Sequence, residues 1–350
     1  MKVETLLPLG KVDPGLRKPR KPYDLRSIFQ NAQLVESLGY DGLMFEETKQ
    51  DPFIACAIAA EATHSVKIGT AVAMAFPRSP AITALTAWNI QHLSSGRFVL
   101  GLGTQVKGHI ERRYGLKWRK PGPWIREYVL ALREIWASWQ EGRQPNVSGD
   151  VYKISMTIPL FDPGPIDHPK IPIHLAAVNP YMARLAGEVA EGVRPHPVCT
   201  PTFIREVMWP EIRKGLARSG RDEKRFSIAI KPLIATASTP ERLDRVIEDV
   251  RARIAFYGAT WSYRKTFEFN GLEETAENLR FLSKSGRWEE MPAYINDEIL
   301  HEYACVGLHK DIASVVKSKY EDIVTDVEFS IPVDADDYCE KLREMIIDLR

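Results

Sequence analysis

RFVLGLGTQVKGHIERRYG, residues 97–115, reads as a short buried strand whose carboxyl end opens through glycines into a cationic turn and a helix. Phe98, Val99, Leu100 and Leu102 supply the apolar run. Gly101 and Gly103 let the backbone come close to a neighbour. Thr104, Gln105, Lys107, His109, Arg112 and Arg113 then gather donors at the strand's mouth, the end at which α/β enzymes bind ligands. Read without a ligand, the stretch is a strand, a glycine turn and a solvated helix. Two nucleotide motifs are excluded. A dinucleotide fingerprint needs a glycine three residues after the second one, and that position is Val106. A P-loop needs Gly-Lys-Ser/Thr to close its glycine loop, and none follows.

On either side, short β-rich runs alternate with amphipathic helices. Runs 3–7, 42–45, 66–74 and 97–102 read as strands, with helices over 25–38, 52–63 and 80–93 between them. Such β-α units point to a parallel sheet. A long helix follows over 123–141, with Ile125, Tyr128, Val129, Leu132, Ile135, Trp136 and Trp139 at helical spacing, Pro123 at its start and Gly142 past its end. Residues 144–170 break the rhythm with prolines, glycines and the extended run VYKISMTIPLF, and read as an insertion carrying a hairpin or lid. Strands 171–176, 192–194, 226–236 and 324–329 then alternate with helices over 179–190, 201–218 and 240–257, with further helical segments at 272–284 and 296–302 and a closing helix. The count of eight strands favours a single (β/α)8 TIM barrel over 1–350, with insertions at 142–170 and 258–308, above an open doubly wound sheet.

Composition narrows the function classes. The 350 residues carry 47 basic and 46 acidic side chains, a net charge of +1, which argues against a nucleic-acid surface. The longest apolar run, 54–60, is far short of the ~20 residues that span a bilayer, and the amino-terminal stretch lacks a signal-peptide core. The four cysteines (Cys56, Cys199, Cys305, Cys339) form no CxxC pair and read as thiols of a cytoplasmic protein. Neither HExxH nor GxSxG occurs, so no metal site is expected and serine hydrolysis is disfavoured.

Three strand ends could carry chemistry. Glu46-Glu47-Thr48-Lys49-Gln50-Asp51 follows the second strand, with paired carboxylates fit for acid/base work and Asp51 placed as the N-cap ahead of Pro52. The third strand ends IGTAVAMAFPRSP, where Gly69, Thr70, Ala71 and Ala73 leave room for a flat ring or for a neighbouring helix. Ala176-Ala177-Val178-Asn179 runs into Pro180, a helix start whose N–H groups and dipole suit a phosphate, or an ordinary Asn-Pro cap. His174 and His196, on successive strand regions, could both face the mouth.

Taken together, AFPRSP (75–80), the stretch 86–115, REYVLALREIWASWQ (126–140), FDPGP (161–165), LAAVNPYMARLAGEVAEG (175–192), HPVCTP (196–201), FYGAT (256–260) and LSKSGRWEEM (282–291) resemble the bacterial-luciferase-like superfamily, in its branch using the deazaflavin coenzyme F420. The resemblance implies a barrel with the cofactor ring at its carboxyl mouth, backed by a non-prolyl cis peptide at Ala71-Val72. It places Gly103, Thr104 and His109 in a cofactor-binding turn, and Ala177, Val178 and Asn179 at a phosphate-binding helix start. Glu47 and Thr48 stand where cofactor or substrate is touched. The chain departs from the sugar-phosphate dehydrogenases of this superfamily. Their catalytic glutamate is Val106 here, and their Asp-His pair falls on Glu46-Glu47 or Glu47-Thr48.

The implied activity is an F420-dependent oxidoreductase acting on a small organic substrate, with His196, Glu47 and His174 as candidate proton-transfer groups. Arg112 and Arg113 are candidates for the acidic tail of the cofactor. The alternatives are a reduced-FMN monooxygenase and a non-catalytic flavin-binding relative. A homodimer is expected, with Trp124, Trp136 and Trp139 serving either as its face or as core. Residues 144–170 and 261–303 are expected to shape the substrate pocket.

Overall fold

A computed structural model of the chain describes residues 1–9, 23–331 and 338–350. Eight parallel strands close on themselves: β1 (Lys2–Leu6), β2 (Gly42–Phe45), β3 (Lys67–Thr70, resuming at Ala73–Met74), β4 (Phe98–Gly103), β5 (Ile173–Ala177), β6 (Gly192–Pro195), β7 (Ser227–Ile230) and β8 (Asp326–Glu328). Each pairs with the next, and β8 returns to β1, so the expected barrel is the fold. All carboxyl ends therefore open on one face.

Many of the helices begin by a repeated device. Asp51-Pro52, Ser79-Pro80, Asn179-Pro180, Thr200-Pro201 and Thr239-Pro240 each place a side-chain acceptor at the N-cap and proline at the first helical position. Proline lacks the N–H that would go unpaired there, and the cap oxygen satisfies another, so these sequences set sharp helix starts. Around the barrel, helix Pro180–Val189 crosses helix Trp209–Ser219 at touching backbones. A Cβ on Gly215 would stand 2.0 Å from the Arg184 carbonyl oxygen, and one on Gly187 2.3 Å from that of Ile212.

Two runs expected as single strands are broken. Run 66–74 is interrupted at a cis peptide between Ala71 and Val72, after which Ala73–Met74 continues against β4. Run 226–236 divides at Pro232, which has no N–H for a ladder. Its first half is β7; its second half, Leu233–Ala237, leaves the barrel and pairs in parallel with Ala304–Leu308.

The second insertion accordingly differs from the helical segment expected over 258–308. It begins at Leu233, contains a two-stranded sheet, and has its own core, in which Leu233, Val250, Phe267, Leu279 and Tyr303 are buried. Val198, from the loop after β6, is buried in that core, and Val178, after β5, packs against it and the barrel core alike. Residues 233–308 thus form a cap seated on the mouth.

The first insertion runs along the outer flank rather than over the mouth as a lid. Its hairpin, Val147–Ser148 with Lys153–Ile154, is tied to helix Pro121–Glu141: the Val151 amide donates to Glu127 and the Asn146 amide to Glu134. Farther on, the Gly164 and His168 carbonyls accept from Trp88 and Gln91 of helix Pro80–Leu93. The three tryptophans are core. Trp124 stacks on Phe76 at 3.7 Å, Trp136 donates to the Ala84 carbonyl, and Trp139 meets Trp88 edge to face.

Candidate active site at the carboxyl mouth

The glycines of β4 make room for the break in β3. A Cβ on Gly101 would lie 1.9 Å from the Thr70 carbonyl oxygen, and one on Gly103 2.7 Å from the Val72 side chain. Thr70 in turn donates its hydroxyl to the Gly101 carbonyl at 2.6 Å, and the Ala71 amide donates to Phe45 of β2. What these glycines admit is the adjacent strand, β3. The cis peptide makes a bulge between β2 and β4, and Ala71, Val72 and, on β5, Ala176 stand half-buried at the opening.

Glu47 is fastened to that bulge. One carboxylate oxygen accepts from the Met74 amide and from Arg78, each at 2.7 Å, while Arg78 also pairs with Asp51 at 2.8 Å. Asp51 caps its helix through Phe53, and the Arg78 guanidinium lies over the Phe53 ring. Glu47 thus clasps the loop after β2 to the end of β3. Arg78 sits inside the AFPRSP motif, but nothing in its spacing showed that it would reach back across two strands.

His196 follows β6 directly and is half-buried beneath the cap. Its ring stacks on Tyr263 at 4.0 Å and meets Tyr257 edge to face at 4.8 Å, while its Nδ1 accepts from the Val198 amide at 3.3 Å. The Tyr263 hydroxyl is pushed up to about 12 by burial, so it stays neutral. Thr48 and His109 are exposed at the rim, His109 on the short helix Lys107–Arg112. Thr104 is half-buried after β4. At the end of β5, Ala177 is buried and Val178 half-buried, and Asn179 caps helix Pro180–Val189 by accepting from Met182.

His174 is not at the mouth. It is the second residue of β5, level with Gly101 and with Gly192 at the start of β6, and its side chain is buried inside the barrel. Burial, then the charge of Arg194, pushes it down to about 3, so it is a neutral imidazole. Its Nδ1 has no hydrogen-bond partner. The strand read over 171–176 runs on to Ala177, which leaves His174 three residues below its end.

What sequence reasoning missed is the charge inside the barrel. Glu4 pairs with Arg194 at 3.0 Å, and both are buried. Nearer the mouth, Lys231 pairs with Glu46 at 2.6 Å and lies 3.5 Å from Glu328. Burial pushes Glu328 up to about 7, an effect only partly offset by Lys231. Deeper, burial would raise the Asp326 carboxyl, but the Ser227 and Thr325 hydroxyls and Lys67 hold it below its ordinary value. The signal was available: Lys2-Val3-Glu4 and Asp326-Val327-Glu328 alternate charged and apolar residues, the strand period that sends one set inward.

The comparisons agree with this architecture. The luciferase-like monooxygenase model matches residues 5–326. The chain is 38% identical over 303 residues to an uncharacterized protein of Mycobacterium tuberculosis, covering 87% of this chain and 89% of that one. It is 28% identical to the 5,10-methylenetetrahydromethanopterin reductase of Archaeoglobus fulgidus, with the same coverage. It is also 28% identical to an M. tuberculosis protein provisionally named a coenzyme F420-dependent oxidoreductase, covering 79% of this chain and 83% of that one. Among solved structures, the coenzyme F420 dependent tetrahydromethanopterin reductase of Methanopyrus kandleri superposes with a TM-score of 0.75 at 18% identity, covering 99% and 97% of the two chains. The FMN complex of 3,6-diketocamphane monooxygenase from Pseudomonas putida gives 0.65 at 16%, covering 99% and 97%. With the family model spanning nearly the whole barrel, from β1 to the start of β8, the chain belongs to the luciferase-like monooxygenase family, an enzyme family of oxidoreductases.

Proposed function

We propose that this chain is a coenzyme F420-dependent oxidoreductase that moves hydride between the deazaflavin and a small organic substrate held under the cap. The observation that carries the reading is the half-buried ledge of Ala71, Val72 and Ala176 at the mouth, on a β3 bulge that Gly101 and Gly103 admit. Small apolar side chains on a rigid backbone suit one face of a flat ring. F420 is preferred to FMN because relatives matched along most of the chain include one named for F420.

In this reading the cofactor supplies a carbon that accepts or releases hydride. The protein supplies the rest. Ala71 and Val72 back the ring, and Gly103 and Thr104 border it. The end of β5 and the start of helix Pro180–Val189 hold the cofactor phosphate. Pro180 has no N–H and Met182 donates to Asn179, so the Tyr181 amide is the first-turn donor left for it. His196, fixed between Tyr263 and the Val198 amide, is a candidate substrate contact facing the cap. Glu47, already bound to Arg78 and Met74, orients the bulge rather than exchanging protons.

The test is equilibrium titration of the apoprotein with oxidised F420 and, separately, FMN. Micromolar or tighter F420 binding with FMN much weaker is expected. The reverse preference would assign a flavin monooxygenase, and binding of neither would assign a non-catalytic relative.

A further inference from the structure

We propose that Glu328, Lys231 and Glu46 form a proton-holding site in the floor of the mouth, in which Glu328 carries the spare proton and Lys231 passes it to the oxygen of a bound substrate. The transfer to substrate rests on the oxidoreductase reading; the proton-holding site does not.

Three strands bring the groups together: Glu46 follows β2, Lys231 follows β7, and Glu328 ends β8. Their side chains are 15%, 23% and 4% exposed, so the lysine is the most open member and Glu328 is sealed behind it. Glu328 sits directly beside Glu4 in the β1–β8 register, and the cations nearest these two carboxyls, Arg194 and Lys231, each stand closer to another acid than to Glu328.

A buried carboxylate without a cation of its own is costly, and the cheapest counter-charge is a proton. It belongs on Glu328 by geometry. Arg194 is committed to Glu4 at 3.0 Å and Lys231 to Glu46 at 2.6 Å, whereas Lys231 stands 3.5 Å from Glu328, whose Oε1 is buried without a hydrogen-bond partner. Among the described residues, the charged groups facing Glu328 are Lys231, Glu46, Arg194 and Glu4, two of each sign. Its raised affinity for a proton follows first from burial, which Lys231 offsets only in part.

The chemistry that fits is interconversion of a carbonyl and an alcohol. A carbonyl reduced there would need one proton on its oxygen. An N–H bond of Lys231 would break as the substrate O–H bond forms, the lysine would recover a proton from the Glu328 carboxyl, and a solvent proton entering past Lys231, the more open group, would restore Glu328. Alcohol oxidation runs the same transfers backward. Glu328 acts through Lys231 and is a positioning residue; Lys231 is the catalytic one.

Carboxyl-labelled glutamate followed by carbon NMR from pH 5 to 9, on the protein without cofactor, tests the site. One glutamate should titrate near neutrality and vanish in Glu328→Gln. Its midpoint should fall in Glu46→Gln, which frees Lys231 for Glu328, and rise in Lys231→Met. If Glu328→Gln fails to fold, these two neighbouring variants carry the test. Titration of every glutamate below pH 6, survival of the neutral signal in Glu328→Gln, or a midpoint unmoved by both neighbours would overturn the site. This outcome is independent of the F420 titration, so failure of one is not failure of the other. With a carbonyl substrate in hand, Lys231→Met should lower kcat at least 100-fold with KM little changed. A change confined to KM would overturn the transfer.

Discussion

Glu47 shows how a carboxylate at a strand end can be structural. It lies beside Arg78 and accepts from a backbone amide, and its side chain is 12% exposed against 20% for Arg78. Removing Arg78 leaves two carboxylates, Glu47 and Asp51, without their cation, so Arg78→Met should destabilise the protein by about 2 kcal/mol, and Glu47→Gln by less because the Met74 bond and the Arg78–Asp51 pair survive. Urea denaturation checks the order; equal costs would mean that Arg78 contributes nothing beyond its pair with Glu47. The sequence displayed Glu47 as a prominent acid, since paired carboxylates stand out in a string of letters. It hid Arg78, whose partner is 31 residues away.

The same two scales of distance govern His174 and Glu328. Glu328 binds its proton more tightly folded than unfolded, so its contribution to stability is present below pH ~4.5 and is lost as pH rises to about 7. His174 binds its proton less tightly folded, so its contribution is present above pH ~6.5 and is lost as pH falls toward about 3. The two slopes oppose each other between pH ~4.5 and ~6.5. Glu328→Gln should therefore raise stability selectively above pH 7, by up to ~3 kcal/mol for a shift of this size. His174→Gln should flatten the acid side. Denaturant midpoints across pH 4 to 9 measure both, and a parallel shift at every pH would remove the assignment.

At the scale of elements, β3 and β4 fit as a pair. The Gly103 Cβ would meet the Val72 side chain, whereas the Gly101 Cβ would meet backbone. A side chain can be trimmed and a carbonyl cannot. Gly103→Ala should cost about 1–3 kcal/mol and be rescued by Val72→Ala, while Gly101→Ala should cost at least as much and resist rescue. Thermal melts of the three variants and the double variant decide it. The strand itself was legible because buried parallel strands read as apolar runs; the purpose of its glycines was not, because they answer the shape of a neighbour rather than their own turn. The break at Pro232 was legible in principle, since proline cannot serve a central ladder. The apolar character of Phe226 to Thr236 on both sides of it outweighed that signal.

For the whole molecule, the eight parallel strands followed from alternation, because each β-α unit is local; their closure into a barrel rested on the strand count and the family resemblance, since right-handed crossovers also build an open sheet. Two of the caps, Asp51 and Asn179, declared themselves as polar residues before proline; Ser79, Thr200 and Thr239 show the same pattern in the structure. The flank position of the first insertion did not, since the Glu127 and Glu134 carboxylates that hold it lie in a helix already read as complete. Nor did the strand Ala304–Leu308, five residues whose partner lies some 70 positions earlier.

Pro232 has one more consequence. The chain passes out of the barrel once, at residues 231–233, and comes back once, at 308–312, and everything between has its own buried centre. The cap is therefore a cassette: it can lengthen, shrink or be exchanged without rethreading a single barrel strand.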